Sequence, residues 1–197
     1  MNQDKANTKD KIYQATLELL ASGAEASQVT TRQIAAKAGV NLALVNYYFH
    51  SKENLLSEVV AKMMEQVIDQ AANGSDCPEN ADNRLKSILI STMDAAFNHI
   101  NICRIAIRME LKKGCIDSCA LVFPLLNEIF KWHSKAELDV VALQLMLPFH
   151  HIFLEPELYG RLLDTDFFDK RKRDQKIIEM IDCVLAGSSS VIQEEES

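Results

Sequence analysis

A short uncharged segment, residues 41–49 (NLALVNYYF), carries side chains that could make specific contacts with a binding partner. At 100° per residue, a helix that turns Val45 toward a core must turn a mixture of apolar and amide side chains outward. The outward residues are Ala43, Leu44, Asn46 and Tyr47, and Leu42 lies at the border. In a DNA major groove, Leu and Ala can contact thymine methyl groups, Asn can pair with adenine, and Tyr can reach a phosphate. The segment therefore has the outward chemistry needed to read base edges.

The spacing before this segment predicts a helix-turn-helix over residues 30–49. Ala35 lies four residues before Gly39, at a helix crossing that leaves room only for a small side chain. Gly39 falls where the first helix needs a left-handed residue, and Val45, six residues later, can fill the seam. Residues suited to N-caps precede both helices: Thr30 or Thr31, and Asn41. The alternative is an ordinary helical hairpin within a core.

The composition predicts a chain made of helices. Of the 197 residues, 48% are apolar and 25% charged, while Gly (6) and Pro (4) are sparse. Helical spacing recurs in nine segments, and no sustained alternation indicates a strand. We therefore predict an all-α protein with a three-helix head and a body of about six helices. The predicted ranges are 7–52 for the head, 53–187 for the body and 188–197 for a flexible tail.

The distribution of charge is compatible with DNA binding. Residues 1–66 sum to zero, so the whole net charge of −7 falls in residues 67–197, and residues 1–52 carry +2. The start lacks the apolar region of a signal peptide, and no apolar run reaches the ~18 residues of a membrane span. These features predict a cytoplasmic protein without a membrane partner. The five scattered cysteines are then expected to be reduced and mostly buried.

Two motifs give the front of the chain a family resemblance. TTRQIAAKAGV (30–40) and YYFHSKENLL (47–56), with Ile12, Ala15 and Leu19 before them, resemble the DNA-binding domain of the TetR (tetracycline repressor) family. The resemblance implies a transcriptional regulator, usually a homodimeric repressor that a small molecule releases from a near-palindromic DNA site. It also implies an all-helical regulatory body that dimerises through its last two helices.

The resemblance carries the family's DNA contacts to individual residues. Thr31 and Arg32 match contacts to phosphate and base, and Lys52 matches a phosphate-binding lysine. Many members have a tyrosine where this chain has Asn46, so base reading by Asn46 becomes possible. With the outward face and the caps, the predicted DNA-binding set is Thr30, Thr31, Arg32, Asn41, Leu42, Ala43, Leu44, Asn46, Tyr47, Tyr48 and Lys52.

The body offers weaker candidates. It has no Gly-rich phosphate loop, nucleophile elbow or HExxH, so we predict no enzyme, no cofactor and no metal site. Cys115 and Cys119 could form a metal or redox pair, or be two small apolar side chains near a helix start. His150 and His151 point to different helix faces, which disfavours a shared metal. A helical enzyme or binding protein whose front hairpin only imitates the motif remains the rival function.

Two sets of residues in the body are predicted sites. The candidate effector pocket comprises Met93, Phe97, Arg104, Arg108, Trp132, Phe149 and Phe153. Its apolar members could equally be plain core, and its arginines could instead pair with Glu110 or Asp94. The candidate dimer interface comprises Leu145, Ile152, Ile177, Met180, Ile181 and Val184. Their alternative is to close the core of one protomer, and the family resemblance favours the dimer.

Overall fold

The computed structural model describes residues 2–21, 28–73 and 78–190, and every regular element in those ranges is an α-helix. The predicted all-α class is therefore confirmed. The helices are α1 (Asn2–Ala21), α2 (Thr31–Ala38), α3 (Leu42–Phe49), α4 (Lys52–Asn73), α5 (Ala81–Asn98), α6 (Ile100–Lys112), α7 (Ile116–Ile129), α8 (Lys135–Leu154), α9 (Pro156–Leu162) and α10 (Lys170–Ser190).

Helix α9 is the element that the sequence did not predict. Its segment contains Pro156 and Gly160, and these residue types usually mark a break between helices. Pro156 instead occupies the first helical position, where its missing N–H costs no hydrogen bond. Gly160 allows close packing, because a Cβ there would lie 2.7 Å from the Thr165 carbonyl oxygen. The two residues that suggested a break thus start a short helix and let its end pack.

The chain forms two compact units. The first unit contains Met1–Met63 and His99–Ala106, and the second contains Met64–Asn98 and Ile107–Ser197. The predicted division after residue 52 falls at the start of α4, whose first twelve residues belong to the first unit. Helix α10 continues to Ser190, and the rest of the predicted tail, residues 191–197, lies outside the described residues.

The first unit is a small core that supports α3. Burying a whole aliphatic or aromatic side chain contributes about 1.5–3 kcal/mol, so a few such residues decide how short helices pack. Each of the four leading helices contributes buried side chains to it. They include Ile12 and Ala15 of α1, Ile34 and Ala35 of α2, Val45 and Phe49 of α3, and Leu55, Leu56 and Val59 of α4.

The second unit has a larger core centred on α8. That helix buries nine of its residues, and the core also draws on α5, α7 and α10. By length and composition α8 is apolar enough to cross a membrane, yet half of the apolar window is buried within the protein. Such burial is ordinary for the central helix of a helical core. We therefore attribute the apolar character of α8 to packing inside the protein.

A buried polar network joins three helices of the second unit. His150 of α8 is buried, its Nδ1 lies 3.4 Å from Cys115 Sγ, and its Nε2 lies 3.1 Å from Ser118 Oγ. Glu110 of α6 accepts hydrogen bonds from the Ser118 N–H (2.8 Å) and hydroxyl (3.1 Å). Burial, with a smaller effect of His151, lowers the pKa of His150 to about 4. The imidazole is therefore neutral near pH 7, with both nitrogens partnered.

Cys115 is buried at the N-cap of α7. Burial and the nearby Glu110 raise the pKa of its thiol. Cys119, one turn later, is half-buried, and its pKa is raised chiefly by burial. Although Cys115 follows the break between α6 and α7, its thiol is covered. This environment fits small core side chains better than a reactive pair.

We expect acid to destabilise the protein through His150. Its folded pKa of about 4 lies below the ordinary value of 6.5, so the unfolded chain takes up the proton first. The contribution of His150 to stability is therefore fully present above about pH 6.5 and is lost as the pH falls toward about 4. Each pH unit in that window costs up to about 1.4 kcal/mol.

Urea unfolding at about pH 7 and about pH 5 measures this loss as a change in the free energy of unfolding. His150→Gln should reduce the difference between the two pH values, whatever it does to stability itself. The matched control is His99→Gln, because His99 is exposed. An unchanged pH dependence in His150→Gln would contradict the assignment.

Candidate nucleic-acid interface

Helix α2 begins and ends as the sequence predicts. Thr30 forms a capping box: its Oγ1 accepts from the Gln33 N–H (3.2 Å), and Gln33 Oε1 accepts from the Thr30 N–H (2.8 Å). Gly39 ends the helix with φ 64°, a left-handed conformation that glycine adopts without a steric penalty. The Val40 N–H then bonds the Ala35 carbonyl (3.0 Å), and this bond closes the turn.

Helix α3 follows at once and is only eight residues long, or roughly 12 Å. Asn41 caps it, with Oδ1 accepting from the Ala43 N–H at 2.9 Å. His50 ends it with a positive φ of 61°, and its N–H bonds the Asn46 carbonyl at 2.9 Å. Ser51 then caps α4, because its Oγ accepts from the Asn54 N–H at 3.0 Å. Three caps therefore position this short helix between α2 and α4.

The predicted orientation of α3 is confirmed. Val45 and Phe49 are each 1% exposed and anchor the helix in the core of the first unit. Four residues point outward, with Leu44 38% and Tyr47 64% exposed. We call Ala43, Leu44, Asn46 and Tyr47 the reading face. Leu42 and Tyr48 are half-buried at its edges, and the Tyr47 and Tyr48 rings meet edge to face with centroids 5.3 Å apart.

The predicted phosphate-binding residues lie at the starts of helices. Thr31 and Arg32 open α2, with Thr31 half-buried and Arg32 exposed. Lys52 opens α4 and is half-buried. A helix N-terminus attracts an anion because its first N–H groups and its dipole point toward it. These positions can therefore bind phosphate oxygens while the reading face remains uncharged.

The predicted effector-pocket residues are mostly packed in the core of the second unit. Phe149 and Phe153 are 4% and 0% exposed, and the Phe97 ring meets Phe153 edge to face at 5.1 Å. Met93 packs against the same core. Trp132 is 91% exposed in the segment between α7 and α8. The prediction that Trp132 lines an internal pocket is therefore wrong. The residue lies in the loop before Ser134, the N-cap of α8, and no helix packs over its side chain.

The two predicted pocket arginines differ from one another. Arg108 is exposed, whereas Arg104 is half-buried and its Nε is buried without a hydrogen-bond partner. The carboxylates proposed as their alternatives have other contacts. Glu110 accepts from Ser118, and Asp94 accepts from the buried Arg173 at 2.5 Å.

The predicted dimer residues belong to the protomer core. Leu145, Ile152, Ile177 and Ile181 are 0–2% exposed, and Met180 and Val184 pack against the same core. The interface assignment is therefore wrong for the four buried residues, and the alternative is correct for them. Their spacing of three to four marks the inward stripe of each helix. The exposed large apolar residues of α8 are Val140 (55%), Leu143 (42%) and Leu147 (37%), which we call the outer stripe of α8.

An open groove of about 680 Å³ lies beside α9 and the start of α10. None of the predicted pocket residues lines it. Four basic and four acidic residues line it. The basic residues are Arg161, Arg171, Lys172 and Lys176, and the acidic residues are Glu157, Asp164, Asp166 and Glu179. The charged residues that line the groove therefore sum to no net charge.

Comparison with known proteins finds a family match within the first unit. Residues 12–59 match the family model described as bacterial regulatory proteins, tetR family. The chain is 27% identical over 107 residues to "Probable HTH-type transcriptional regulator YttP" of Bacillus subtilis, covering 53% of this chain and 51% of that protein. The chain spans about half the length of the curated relatives it matches.

Solved structures extend the likeness to the whole fold. The transcriptional regulator FadR from Bacillus subtilis, in complex with stearoyl-CoA, gives a TM-score of 0.58 at 15% identity, covering 87% of this chain and 96% of that one. NalD, the secondary repressor of the MexAB-OprM multidrug efflux pump in Pseudomonas aeruginosa, gives 0.51 at 18%, covering 92% and 96%. At these identities the likeness concerns the fold alone. Residues 12–59, which include the capped helix pair, thus match the tetR family of bacterial regulatory proteins, and the rest of the chain shares the fold of the solved regulators.

Proposed function

We propose that this protein is a sequence-specific DNA-binding transcriptional regulator, acting in the cytoplasm as a homodimeric repressor that a small molecule releases. The observation that carries the proposal is the reading face on α3. Val45 and Phe49 are buried, yet Leu44 and Tyr47 are exposed on the same eight-residue helix. A helix anchored only for stability would gain from charged residues on its outer side. An uncharged outer face suits contact with base edges.

The proposed contacts divide between bases and phosphates. Ala43 and Leu44 contact thymine methyl groups, and Asn46 pairs with adenine through its amide. Arg32 and Lys52 bind phosphates from helix starts, so they attract DNA without reading its sequence. The remaining proposed contacts complete the interface at its edges: Thr30, Thr31, Asn41, Leu42, Tyr47 and Tyr48.

A near-palindromic operator requires two copies of this reading face. In a dimer, two such helices enter successive major grooves with centres about 34–36 Å apart. We propose that the protomers associate through the outer stripe of α8, together with Ile178 of α10, which is 36% exposed. Exposed apolar side chains at helical spacing are expected to be covered by a partner. Two helices from each protomer would then form a four-helix interface.

The effector is proposed to be a small molecule with an anionic group. Arg104 supports this, because its buried Nε lacks a hydrogen-bond partner and a ligand acceptor would satisfy it. FadR, which shares the fold, is bound to stearoyl-CoA, a ligand with anionic phosphates. The effector must bind the DNA-incompetent state more tightly, since only differential affinity can shift the equilibrium.

A thiol sensor is the second candidate function, and Cys115 beside His150 is the observation in its favour. Sensing by oxidation requires a thiolate, whereas the pKa of Cys115 is raised and that of His150 is lowered. Both groups are therefore neutral near pH 7. We consequently propose that the protein senses a small molecule and not an oxidant. We propose no catalytic activity, cofactor or metal for it.

We expect Asn46→Ala and Lys52→Ala to weaken DNA binding in different ways. Asn46→Ala should cost about 1–3 kcal/mol at one base position and relax the preference there. Lys52→Ala should weaken all sequences about equally and lower the salt slope by about one. Mobility-shift titrations on the protein's own promoter, at several salt concentrations, measure both. Failure of the unchanged protein to form a sequence-specific complex at low salt would contradict the function.

We expect Leu143→Glu to dissociate the dimer. In a two-fold symmetric interface both protomers contribute the substituted residue, so the variant places two new negative charges in it. The dimer dissociation constant should rise at least about 100-fold, or roughly 2.7 kcal/mol. Sedimentation velocity over a concentration series measures it. Leu158→Glu is the matched control, since Leu158 is 53% exposed on α9. Equal effects of the two variants would contradict an interface on α8.

We expect the thiols to differ in reactivity in the folded protein. Cys183 is exposed and should react rapidly with a thiol reagent. Cys103 and Cys115 are buried, and burial raises the pKa of Cys103 to about 12, so both should react only on unfolding. Timed alkylation and peptide mass spectrometry, with and without urea, distinguish the sites. Rapid alkylation of Cys115 in the native protein would favour the thiol sensor.

A further inference from the structure

A network of side chains in the first unit connects α4 to the end of α3. Its centre is Glu58 of α4, whose Oε2 accepts a hydrogen bond from the Tyr13 hydroxyl at 2.6 Å. Lys9 Nζ lies 3.1 Å from the same oxygen. Glu58 therefore holds two side chains of α1, one neutral and one charged.

Both α1 side chains also touch Phe49, the last residue of α3. The Tyr13 and Phe49 rings meet edge to face with centroids 5.6 Å apart. Lys9 Nζ lies 5.1 Å from the centroid of the Phe49 ring. A positive charge over an aromatic face and an edge-to-face ring pair are both attractive. Glu58 thus reaches α3 through two separate side chains without touching it directly.

We call Glu58, Tyr13 and Lys9 together with Phe49 the junction, and its hydrogen bond depends on the Tyr13 hydroxyl staying protonated. Partial burial and the hydrogen bond to Glu58 raise the pKa of Tyr13, so its hydroxyl stays a donor throughout the neutral range. A hydrogen bond to an ionised acceptor is stronger than a neutral one. Glu58 and Lys9 remain partly exposed, with side-chain exposures of 42% and 38%. The ion pair alone would therefore contribute little, and the shared oxygen makes the arrangement specific.

The position of Phe49 matters because α3 has few anchors. Val45 and Phe49 are its two buried side chains, and they lie four residues apart. The helix runs roughly 12 Å, so a small shift at Phe49 turns the reading face relative to the rest of the unit. Contacts at base edges tolerate little misplacement, since hydrogen bonds weaken steeply with distance and angle.

We propose that Glu58 is a positioning residue for DNA reading: through Tyr13 and Lys9 it holds Phe49, and so sets the direction in which α3 presents its reading face. This inference rests on the DNA-binding function proposed above. In this proposal Glu58 acts through Tyr13 and Lys9, and not as a DNA contact. Its removal should therefore lower affinity without changing which bases are preferred.

A matched control lies on the same pair of helices. Lys62 of α4 pairs with Asp10 of α1 at 2.6 Å, so this contact also joins α1 to α4. Asp10→Asn removes that pair, and Asp10 has no contact with Phe49 among those described for the rings. Glu58→Gln and Asp10→Asn each remove one negative charge. Lys62 Nζ also lies 4.8 Å from the centroid of the Tyr13 ring. Asp10→Asn therefore disturbs a neighbouring charged contact of Tyr13 while it leaves both Glu58 contacts in place, and only the loss of the Glu58 contacts is expected to affect α3.

The experiment has one readout in the free protein and one with DNA. Amide hydrogen exchange should accelerate about 10-fold for the last turn of α3, including the His50 N–H that bonds the Asn46 carbonyl, in Glu58→Gln. The amides of α2 should be unchanged, as should both helices in Asp10→Asn. Operator affinity should fall about 3–10-fold in Glu58→Gln, with the same base preferences.

Tyr13→Phe removes one hydroxyl and keeps the ring against Phe49, so it tests the junction if Glu58→Gln unfolds. It should shift both readouts in the same direction. The double variant should lose less than the sum of the two single losses, because both changes act on the same hydrogen bond. The proposal is overturned if Glu58→Gln and Tyr13→Phe show the same amide exchange and operator affinity as Asp10→Asn. Faster exchange in α3 with unchanged operator affinity would overturn it as well. If the unchanged protein binds no operator, the proposed DNA-binding function is wrong. Unaltered amide exchange in both Glu58→Gln and Tyr13→Phe would separately show that the junction does not hold α3.

Discussion

The burial of two side chains on one side of α3 is the constraint on which the candidate interface depends. Val45 and Phe49 occupy the core of the first unit, and the helical repeat then directs the remaining residues outward. The caps at Asn41 and Ser51 mark where α3 starts and where α4 follows it, so α3 is only eight residues long. An uncharged outer face follows from the sequence, and we propose that residues at helix starts bind the phosphates.

Buried polar groups impose a second kind of constraint, on the second unit. Arg173 is 3% exposed, and it donates to the Phe167 carbonyl at 2.9 Å and to Asp94 at 2.5 Å. Its guanidinium carbon lies 4.6 Å from the centroid of the Phe97 ring. A buried cation without such partners would be strongly destabilising. The pairing ties α10 to α5, and it explains why a predicted pocket residue, Phe97, serves the core.

Much of the molecule could be predicted because its signals are local. The all-α class, the capped helix-turn-helix and the outward residues of α3 all follow from contacts within a few residues, which a helical repeat encodes. The failures have a common physical cause. An apolar stripe on α8 or α10 packs equally well against its own protomer or another one, so Leu145 and Ile181 could not be assigned from spacing. Pro156 and Gly160 misled because both residues serve helix starts and close packing as well as breaks.

The sequence by itself determined the family resemblance of the front segment and the chemistry of the reading face, since the motif in residues 30–56 and the orientation of α3 are local properties. Only the tertiary structure decided which apolar residues are exposed on α8, where Trp132 lies, and which partners His150 and Glu58 have. Those partners are 32 to 49 residues away along the chain. Side-chain pairing at such separations depends on how helices pack, and no local pattern of residues specifies it.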